Sequence, residues 1–155
     1  MKRVALVFAT AGYVGFFPIA PGTAGSLAGL VVFAAVRRAA SSAVELAVIA
    51  VVLVAGIWAA GVTERALGTE DPGPVVIDEV LGMLITLTLL PVSLAGIAAG
   101  FVLFRIFDVV KPYPAARMEQ LGGGLGIMLD DAMAALYAYA SLRVLLLVWP
   151  QWFAV

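Results

Sequence analysis

The stretch 43–62 carries one charged side chain, Glu45, and is otherwise built of apolar or small residues. A helix over this stretch is about 30 Å long, which is enough to cross the hydrocarbon core of a bilayer. Charged residues make up only 12% of the chain, and its mean hydropathy is +1.12, whereas soluble domains carry about 25% charged residues. The sequence therefore predicts a membrane-embedded helical protein, with residues 1–155 forming a single domain.

Six apolar segments are separated by proline, glycine and charged residues. Their predicted bounds are 4–17, 27–36, 43–62, 75–90, 94–110 and 127–149. Pro18, Pro21 and Gly22 interrupt the chain between the first two segments, because proline lacks the amide proton that a helix interior requires. The expected fold class is all-α: a polytopic membrane helical bundle of about four to six membrane helices, with a Pro/Gly-broken N-terminal element.

Two acidic pairs, Asp78-Glu79 and Asp130-Asp131, stand at the edges of apolar segments, in the first turn of the predicted helices. With Asp108 they account for five of the ten acidic residues. Acidic residues in the first turn of a helix are explained by capping and by the helix dipole. However, neighbouring side chains on a helix diverge by about 100°, so capping does not require two doublets. Charged side chains next to the hydrocarbon of a membrane usually mark a functional site rather than a purely structural role.

The order of the segments places the acidic residues together. If each segment crosses the membrane once, the loops 18–26, 63–77 and 111–126 lie on one side. The acidic pairs are next to these loops. The sequence therefore predicts one site at one membrane surface.

The missing residue types restrict the chemistry. The chain has no His and no Cys, which excludes a Ser-His-Asp triad, a phosphohistidine intermediate and thiol chemistry. A formal net charge of −1 gives no basic field for nucleic acid. Clustered carboxylates repel one another unless a cation lies between them, and oxygen-only ligation suits Mg²⁺ or Mn²⁺. Attack by water with the help of a metal, or by a carboxylate nucleophile, remains open.

Cationic and hydroxyl side chains accompany the acidic ones. Arg105, Asp108 and Lys111 are spaced to share one helix face, which indicates either an interfacial ion pair with a snorkelling lysine or a metal carboxylate flanked by two phosphate-binding cations. Thr23 and Ser26 lie in a Pro/Gly stretch before a helix, which either binds an anion or only breaks the helix.

Four ordered blocks resemble the phosphatidylglycerophosphatase A family. They are Pro-Ile-Ala-Pro-Gly-Thr-Ala-Gly-Ser at 18–26, Asp-Pro-Gly-Pro-Val-Val-Ile-Asp-Glu at 71–79 with Gly82-Met83, Phe-Arg-Ile-Phe-Asp-Val-Val-Lys-Pro-Tyr-Pro at 104–114 and Gly-Gly-Leu-Gly-Ile-Met-Leu-Asp-Asp at 123–131. Each block is weak alone, whereas four in order with fitting gaps are specific.

The resemblance implies a Mg²⁺-dependent phosphatase of the bacterial inner membrane. Its site faces the cytoplasm, and it converts phosphatidylglycerophosphate to phosphatidylglycerol and inorganic phosphate. Glu79 is the candidate general base, with Asp78 and, more loosely, Asp71 as catalytic partners. The residues carried over as metal ligands are Asp78, Glu79, Asp108, Asp130 and Asp131. Those carried over to hold the substrate are Arg105, Lys111, Thr23 and Ser26.

Three other functions remain as alternatives. A transporter or channel for a cation or an anionic lipid also uses buried carboxylates and broken helices, but its charges lie at the midplane. A phosphotransferase of the CDP-alcohol type also uses aspartates and Mg²⁺, but its signature of paired aspartates is missing here. A structural membrane subunit leaves the acidic pairs unexplained.

Overall fold

The computed structural model describes residues 2–155, apart from the side chain of Glu119. Two 3₁₀ turns cover Val14–Phe16 and Glu119–Leu121, and Val92 and Ala154 form an isolated antiparallel bridge. The helices are α1 (Lys2–Ala9), α2 (Pro21–Arg37), α3 (Ser42–Leu67), α4 (Ile77–Leu87), α5 (Leu94–Val110), α6 (Ala115–Met118), α7 (Gly123–Val148) and α8 (Pro150–Phe153). The prediction of an all-α fold is confirmed.

The short helix α4 lies at the centre of the bundle. It contacts α2, α3, α5 and α7, and 9 of its 11 residues are buried. Eleven residues of helix extend about 16 Å, roughly half of a bilayer's hydrocarbon core. Because α4 is surrounded by longer helices, its first turn, with Asp78 and Glu79, is largely enclosed by neighbouring helices.

Two of the helices are long and apolar enough to cross a membrane, α3 and α7, with 26 residues each. Helix α2 is apolar but shorter, with 17 residues. Among the described residues, the structure therefore shows an all-helical bundle with two candidate membrane-spanning helices. The count of four to six membrane helices stays a prediction.

Four predicted boundaries differ from the observed ones by four residues or more, and one of them is the end of the third segment, predicted at 62 and observed at Leu67. The first segment, 4–17, is helical only to Ala9, and a 3₁₀ turn follows. Helix α2 begins at Pro21 and not at Leu27, since proline fits the first helical position, where no amide partner is needed. The last segment begins at Gly123, not at Ile127. The helical bounds of the fifth segment, 94–110, are as predicted.

Glycines explain why the helices approach so closely. A Cβ atom at Gly25 would lie 2.7 Å from Cβ of Val76, and one at Gly29 would lie 2.8 Å from Cβ of Met83. Both positions face the segment that leads into α4 and the helix itself. On the other side, a Cβ at Gly124 would overlap the carbonyl oxygen of Ile57 in α3. These contacts hold α2 against α4 and α7 against α3, so that helix ends from all parts of the chain meet around one cavity.

Candidate active site

A cavity of about 350 Å³ collects nearly all of the charged residues singled out in the sequence. The walls come from the start of α2, the loop before α4, the end of α5 and the first half of α7. Its charged lining residues are Asp71, Asp78, Glu79, Arg105, Asp108, Lys111, Asp130 and Asp131. The structure thus brings the charged residues that were expected to share a site together around one cavity.

Three carboxylates form the centre of this site. One oxygen each from Asp78, Glu79 and Asp131 lies within 4.8 Å of the other two. Asp78 and Asp131 are buried, with 8% and 4% of their surface exposed. Helix α4 supplies the first two residues and α7 the third, so the group depends on the packing of these helices. Like charges this close destabilise one another strongly in a buried setting.

The same three residues carry oxygens without a hydrogen-bond partner. Among the described residues, Oδ1 of Asp78, Oε2 of Glu79 and Oδ2 of Asp131 are buried and unbonded. Unbonded buried polar atoms are rare and require an explanation, and a buried carboxylate is especially costly without a partner. A hard divalent cation satisfies both observations, since it neutralises the group and accepts carboxylate oxygen ligands. The residues present therefore fit Mg²⁺.

Arg105 connects this carboxylate group to α2. Its Nη1 atom lies 2.8 Å from Oδ2 of Asp108 and 3.8 Å from Oε1 of Glu79. It also donates to the hydroxyl of Ser26 at 3.4 Å. Asp108 and Arg105 form the i, i+3 ion pair that the spacing predicted, and the guanidinium is held at the cavity wall, where it faces any bound anion.

Lys111 follows α5 and approaches α7. Its ammonium donates to Oδ2 of Asp130 at 2.7 Å, while Oδ1 of Asp130 accepts the amide of Asp131 at 2.9 Å. Asp130 therefore has two protein partners, whereas Asp131 keeps a bare oxygen. The two carboxylates of this pair, adjacent in sequence, have different electrostatic roles.

The hydroxyl residues lie in a helix and not in a loop. Thr23 and Ser26 fall within the first two turns of α2. The Ser26 hydroxyl is fully buried and donates to the carbonyl oxygen of Gly22 at 2.9 Å. Its contact is with Arg105, so it supports that side chain. Thr23 is half-buried and is not among the cavity-lining residues.

Capping is not what the acidic pairs do. Asp78 and Glu79 lie in the first turn of α4 as predicted, but Val76 occupies the cap position, and no side chain caps the helix there. The prediction that Asp130 and Asp131 lie in the first turn of their helix is wrong. Helix α7 starts at Gly123, about two turns earlier, because the glycine run 123–126 is helical rather than a loop.

Gly22 also lines the site, although it is not among the site residues predicted from the sequence. A Cβ at this position would overlap Oε1 of Glu79 and come within 3.1 Å of Nη1 of Arg105. The glycine thus lets the start of α2 pass directly over the acidic group. The signal was present in the spacing of Gly22, Gly25 and Gly29, which lines one face of a helix.

A larger polar cavity of about 750 Å³ adjoins the site. It shares Asp71 and Asp130 with the smaller cavity and extends to Arg65, Glu70 and the start of α7. Asp71, with a positive φ of 41°, therefore lies at the boundary between the two. The larger cavity borders the carboxylates at these two residues, which makes it the candidate route for water.

Comparison with known proteins identifies close relatives. A family described as phosphatidylglycerophosphatase A matches residues 7–146. A phosphatidylglycerophosphatase A of Haemophilus influenzae is 38% identical over 126 residues, which cover 80% of this chain and 77% of the relative. One of Escherichia coli is 36% identical over 138 residues, 88% of this chain and 80% of the relative.

A third relative bears a different name. A protein of Bacteroides thetaiotaomicron, provisionally named a phosphatidylinositol-3-phosphatase, is 40% identical over 137 residues, 84% of this chain and 86% of the relative. No solved structure matches the chain. All three names describe a phosphatase that acts on a phospholipid.

Proposed function

The chain belongs to the phosphatidylglycerophosphatase A family, and from this membership we propose that it hydrolyses phosphatidylglycerophosphate with Mg²⁺ held by Asp78, Glu79 and Asp131. Water attacks phosphorus, the bond from phosphorus to the glycerol oxygen breaks, and the products are phosphatidylglycerol and inorganic phosphate. The observation that carries the metal assignment is the set of three buried carboxylates, each with one unbonded oxygen, within 4.8 Å of one another.

Each remaining charged residue has a proposed task. A bound Mg²⁺ supplies positive charge against the phosphate oxygens and activates water for attack. Arg105 and Lys111 line the same cavity and neutralise the other phosphate oxygens. Asp108 and Asp130, which ion-pair with these two cations, hold them in place and are candidates for additional metal ligands. Glu79 is the proposed general base, with Asp71 near the water route.

The protein is proposed to lie in the bacterial inner membrane with the cavity facing the cytoplasm. Helices α3 and α7 are its candidate spans. The cavity lies at the ends of α2, α4 and α5, beside the polar loop 68–76, so a lipid headgroup can reach it while the acyl chains stay in the bilayer. This arrangement favours an enzyme acting at the surface over a transporter, whose sites lie at the midplane.

The test is phosphate release by the purified protein in mixed micelles, with Mg²⁺ and with a chelator in excess. Phosphatidylglycerophosphate is expected to release phosphate only with Mg²⁺. Phosphatidylinositol 3-phosphate is the comparison substrate, because one relative carries that name, and a larger kcat/KM for it would replace the substrate assignment. Absence of metal-dependent release from either lipid would overturn the function.

A further inference from the structure

The catalytic cavity lies at one end of a seam between α2 and α5. Both helices pack against α4, but they make little backbone contact with each other. At the upper end, Arg105 of α5 reaches Ser26 of α2. Below this contact, residues 27–36 of α2 and 94–104 of α5 are all apolar or glycine, so the cleft along the seam is hydrophobic.

The residues that line the cleft recur at helical spacing. On α2, the stripe below Ser26 contains Leu30, Phe33 and Ala34, and on α5 the stripe below Arg105 contains Phe101 and Ile97. Residues three or four apart share a helix face. Leu30, Phe101 and Ile97 are only half-buried, so the protein does not cover these three side chains completely.

A second cavity lies at the lower end of the seam. It has a volume of about 340 Å³ and is lined by Leu30, Phe33, Ala34 and Ile97, with Arg37, Arg38 and Val92 at its margin. The volume is in the range of small-ligand pockets. No charged residue lies among the stripes between Ser26 and this cavity, so the cavity takes an apolar group.

The length of the seam matches a lipid chain. From Gly22, at the carboxylates, to Phe33, at the lower cavity, α2 rises about 16 Å. One leaflet of hydrocarbon, which is the reach of a phospholipid acyl chain, is about 15 Å thick. We propose that one acyl chain of the substrate lies along the α2–α5 seam with its end in the lower cavity. This inference rests on the proposed function, because Arg105, which lines the proposed phosphate site, also contacts Ser26 at the upper end of the seam.

The seam would position the substrate as well as bind it. Transfer of a chain from lipid to an apolar cleft gains little hydrophobic free energy, because both surroundings are apolar. The benefit is orientation: a chain fixed along α2 places the headgroup between Arg105 and the carboxylates. Blocking the cleft is therefore expected to raise KM and to reduce kcat for long-chain lipids.

The test compares Ala34→Trp with Ala35→Trp. Ala34 lines the lower cavity and Ala35, the next residue on the same helix, does not, although both are exposed. Activity is measured in mixed micelles with dipalmitoyl and dihexanoyl phosphatidylglycerophosphate. A hexanoyl chain is too short to reach the lower cavity, so its hydrolysis is the internal control for folding.

We expect Ala34→Trp to lower kcat/KM for the long-chain lipid about tenfold relative to the short-chain lipid, because the displaced chain no longer fixes the headgroup between Arg105 and the carboxylates. Ala35→Trp should leave the ratio unchanged. Equal ratios in the two variants would overturn the inference. If wild-type protein hydrolyses neither lipid, the proposed function fails instead.

A photoreactive lipid gives a second measurement that needs no variant. Phosphatidylglycerophosphate with a diazirine at the end of one acyl chain should label peptides from 30–38 and 92–101 in the wild-type protein. Labelling spread evenly over the outer faces of α3 and α7 would overturn the proposal. Cross-links between two copies of the chain through residues 30–38 would likewise overturn it, because the seam would then be a subunit contact.

Discussion

The ammonium of Lys111 lies 2.7 Å from Oδ2 of Asp130, while the neighbouring Asp131 has no protein partner for its Oδ2 among the described residues. One carboxylate of the pair is therefore neutralised by the protein itself, and the other is left for a cation. Adjacent residues on α7 thus face different partners, since their side chains diverge by about 100° around the helix.

The two asparagine variants of this pair should have different effects. Asp131→Asn removes a proposed metal ligand and should raise the Mg²⁺ concentration for half-maximal activity by more than about tenfold, the cost of losing even an outer partner of a metal site. Asp130→Asn should change this value less and mainly raise KM for the lipid, because Lys111 loses its anchor. The measurement is activity as a function of Mg²⁺ concentration, at saturating and at limiting lipid. It separates a change in the Mg²⁺ requirement from a change in KM for the lipid. Equal shifts in both variants would indicate that both residues bind the metal.

Removing charge from Asp78 should stabilise the metal-free protein while abolishing its activity. Asp78, Glu79 and Asp131 repel one another without a cation, so Asp78→Asn relieves repulsion, and its amide can donate to a neighbouring carboxylate. With chelator, we expect the thermal midpoint to stay the same or rise by about 2–4 °C. Mg²⁺ should raise the midpoint of the wild-type protein but not of the variant, because only the wild type binds the ion.

The control for this experiment is Glu70→Gln, which removes the same charge at an exposed position. Its thermal midpoint should respond to Mg²⁺ as the wild type does. A lower midpoint for Asp78→Asn in chelator would mean that the carboxylate stabilises the fold, which would contradict its assignment as a metal ligand.

The sequence predicted which charged residues gather and the local ion pair of Arg105 with Asp108, but not the ion pair that joins two helices. The apolar segments and the prolines predict helices, and the alternation of segments places the acidic residues at one end of the bundle. The ion pair between Lys111 and Asp130 joins residues 19 apart in sequence, and it depends on how α5 packs beside α7. No local pattern encodes that packing.

In the glycine-rich stretches, the local preference of the sequence and the observed structure differ. Glycine disfavours a helix by about 1 kcal/mol per residue, so runs at 22–25 and 122–126 indicate loops when considered locally. In the structure most of these residues are helical, because α2 and α7 approach their neighbours more closely than a Cβ would allow. Tertiary packing offsets the local preference for a loop. In the sequence, only the spacing of Gly22, Gly25 and Gly29 along one helix face indicates such close packing.

Gly22→Ala should reduce catalysis with little effect on stability. The added Cβ overlaps Oε1 of Glu79 and crowds Arg105, and a displacement of about 1 Å at a reacting group can cost about 100-fold in rate. Stability should change little, because alanine favours the helix by about 1 kcal/mol. The measurements are kcat and the thermal midpoint in detergent.

The matched variant for Gly22 is Gly29→Ala, two turns further along α2. Its Cβ would lie 2.8 Å from Cβ of Met83 and 3.1 Å from Cα of Val80, and no carboxylate oxygen is among its three nearest atoms. Overpacking of this kind costs about 1–3 kcal/mol, so the midpoint should fall while kcat per folded molecule is kept. The opposite result, with kcat lost only in Gly29→Ala, would contradict the place of Gly22 at the site.

At the far end of the bundle, Glu45 is expected to stabilise the fold without taking part in catalysis. Its buried carboxylate accepts from Nη1 of Arg37 at 3.0 Å, from the amide of Leu89 at 2.9 Å and from the hydroxyl of Thr88 at 3.3 Å. These bonds tie the turn after α4 to α2 and α3. Arg37 adds a bond to the carbonyl oxygen of Leu90 at 2.8 Å.

Glu45→Ala removes the acceptor of the Leu89 amide, in a turn where Leu89 is 42% exposed and water can partly replace the lost bond. Such a loss costs about 1 kcal/mol, and the contribution of the ion pair is smaller than for a fully buried pair, because 38% of the Arg37 side chain is exposed. The thermal midpoint should therefore fall, whereas kcat and the Mg²⁺ requirement of the folded fraction should stay at wild-type values. If activity falls while stability is kept, the prediction is wrong. The cluster around Glu45 would then affect the catalytic cavity through α4, which lies between them.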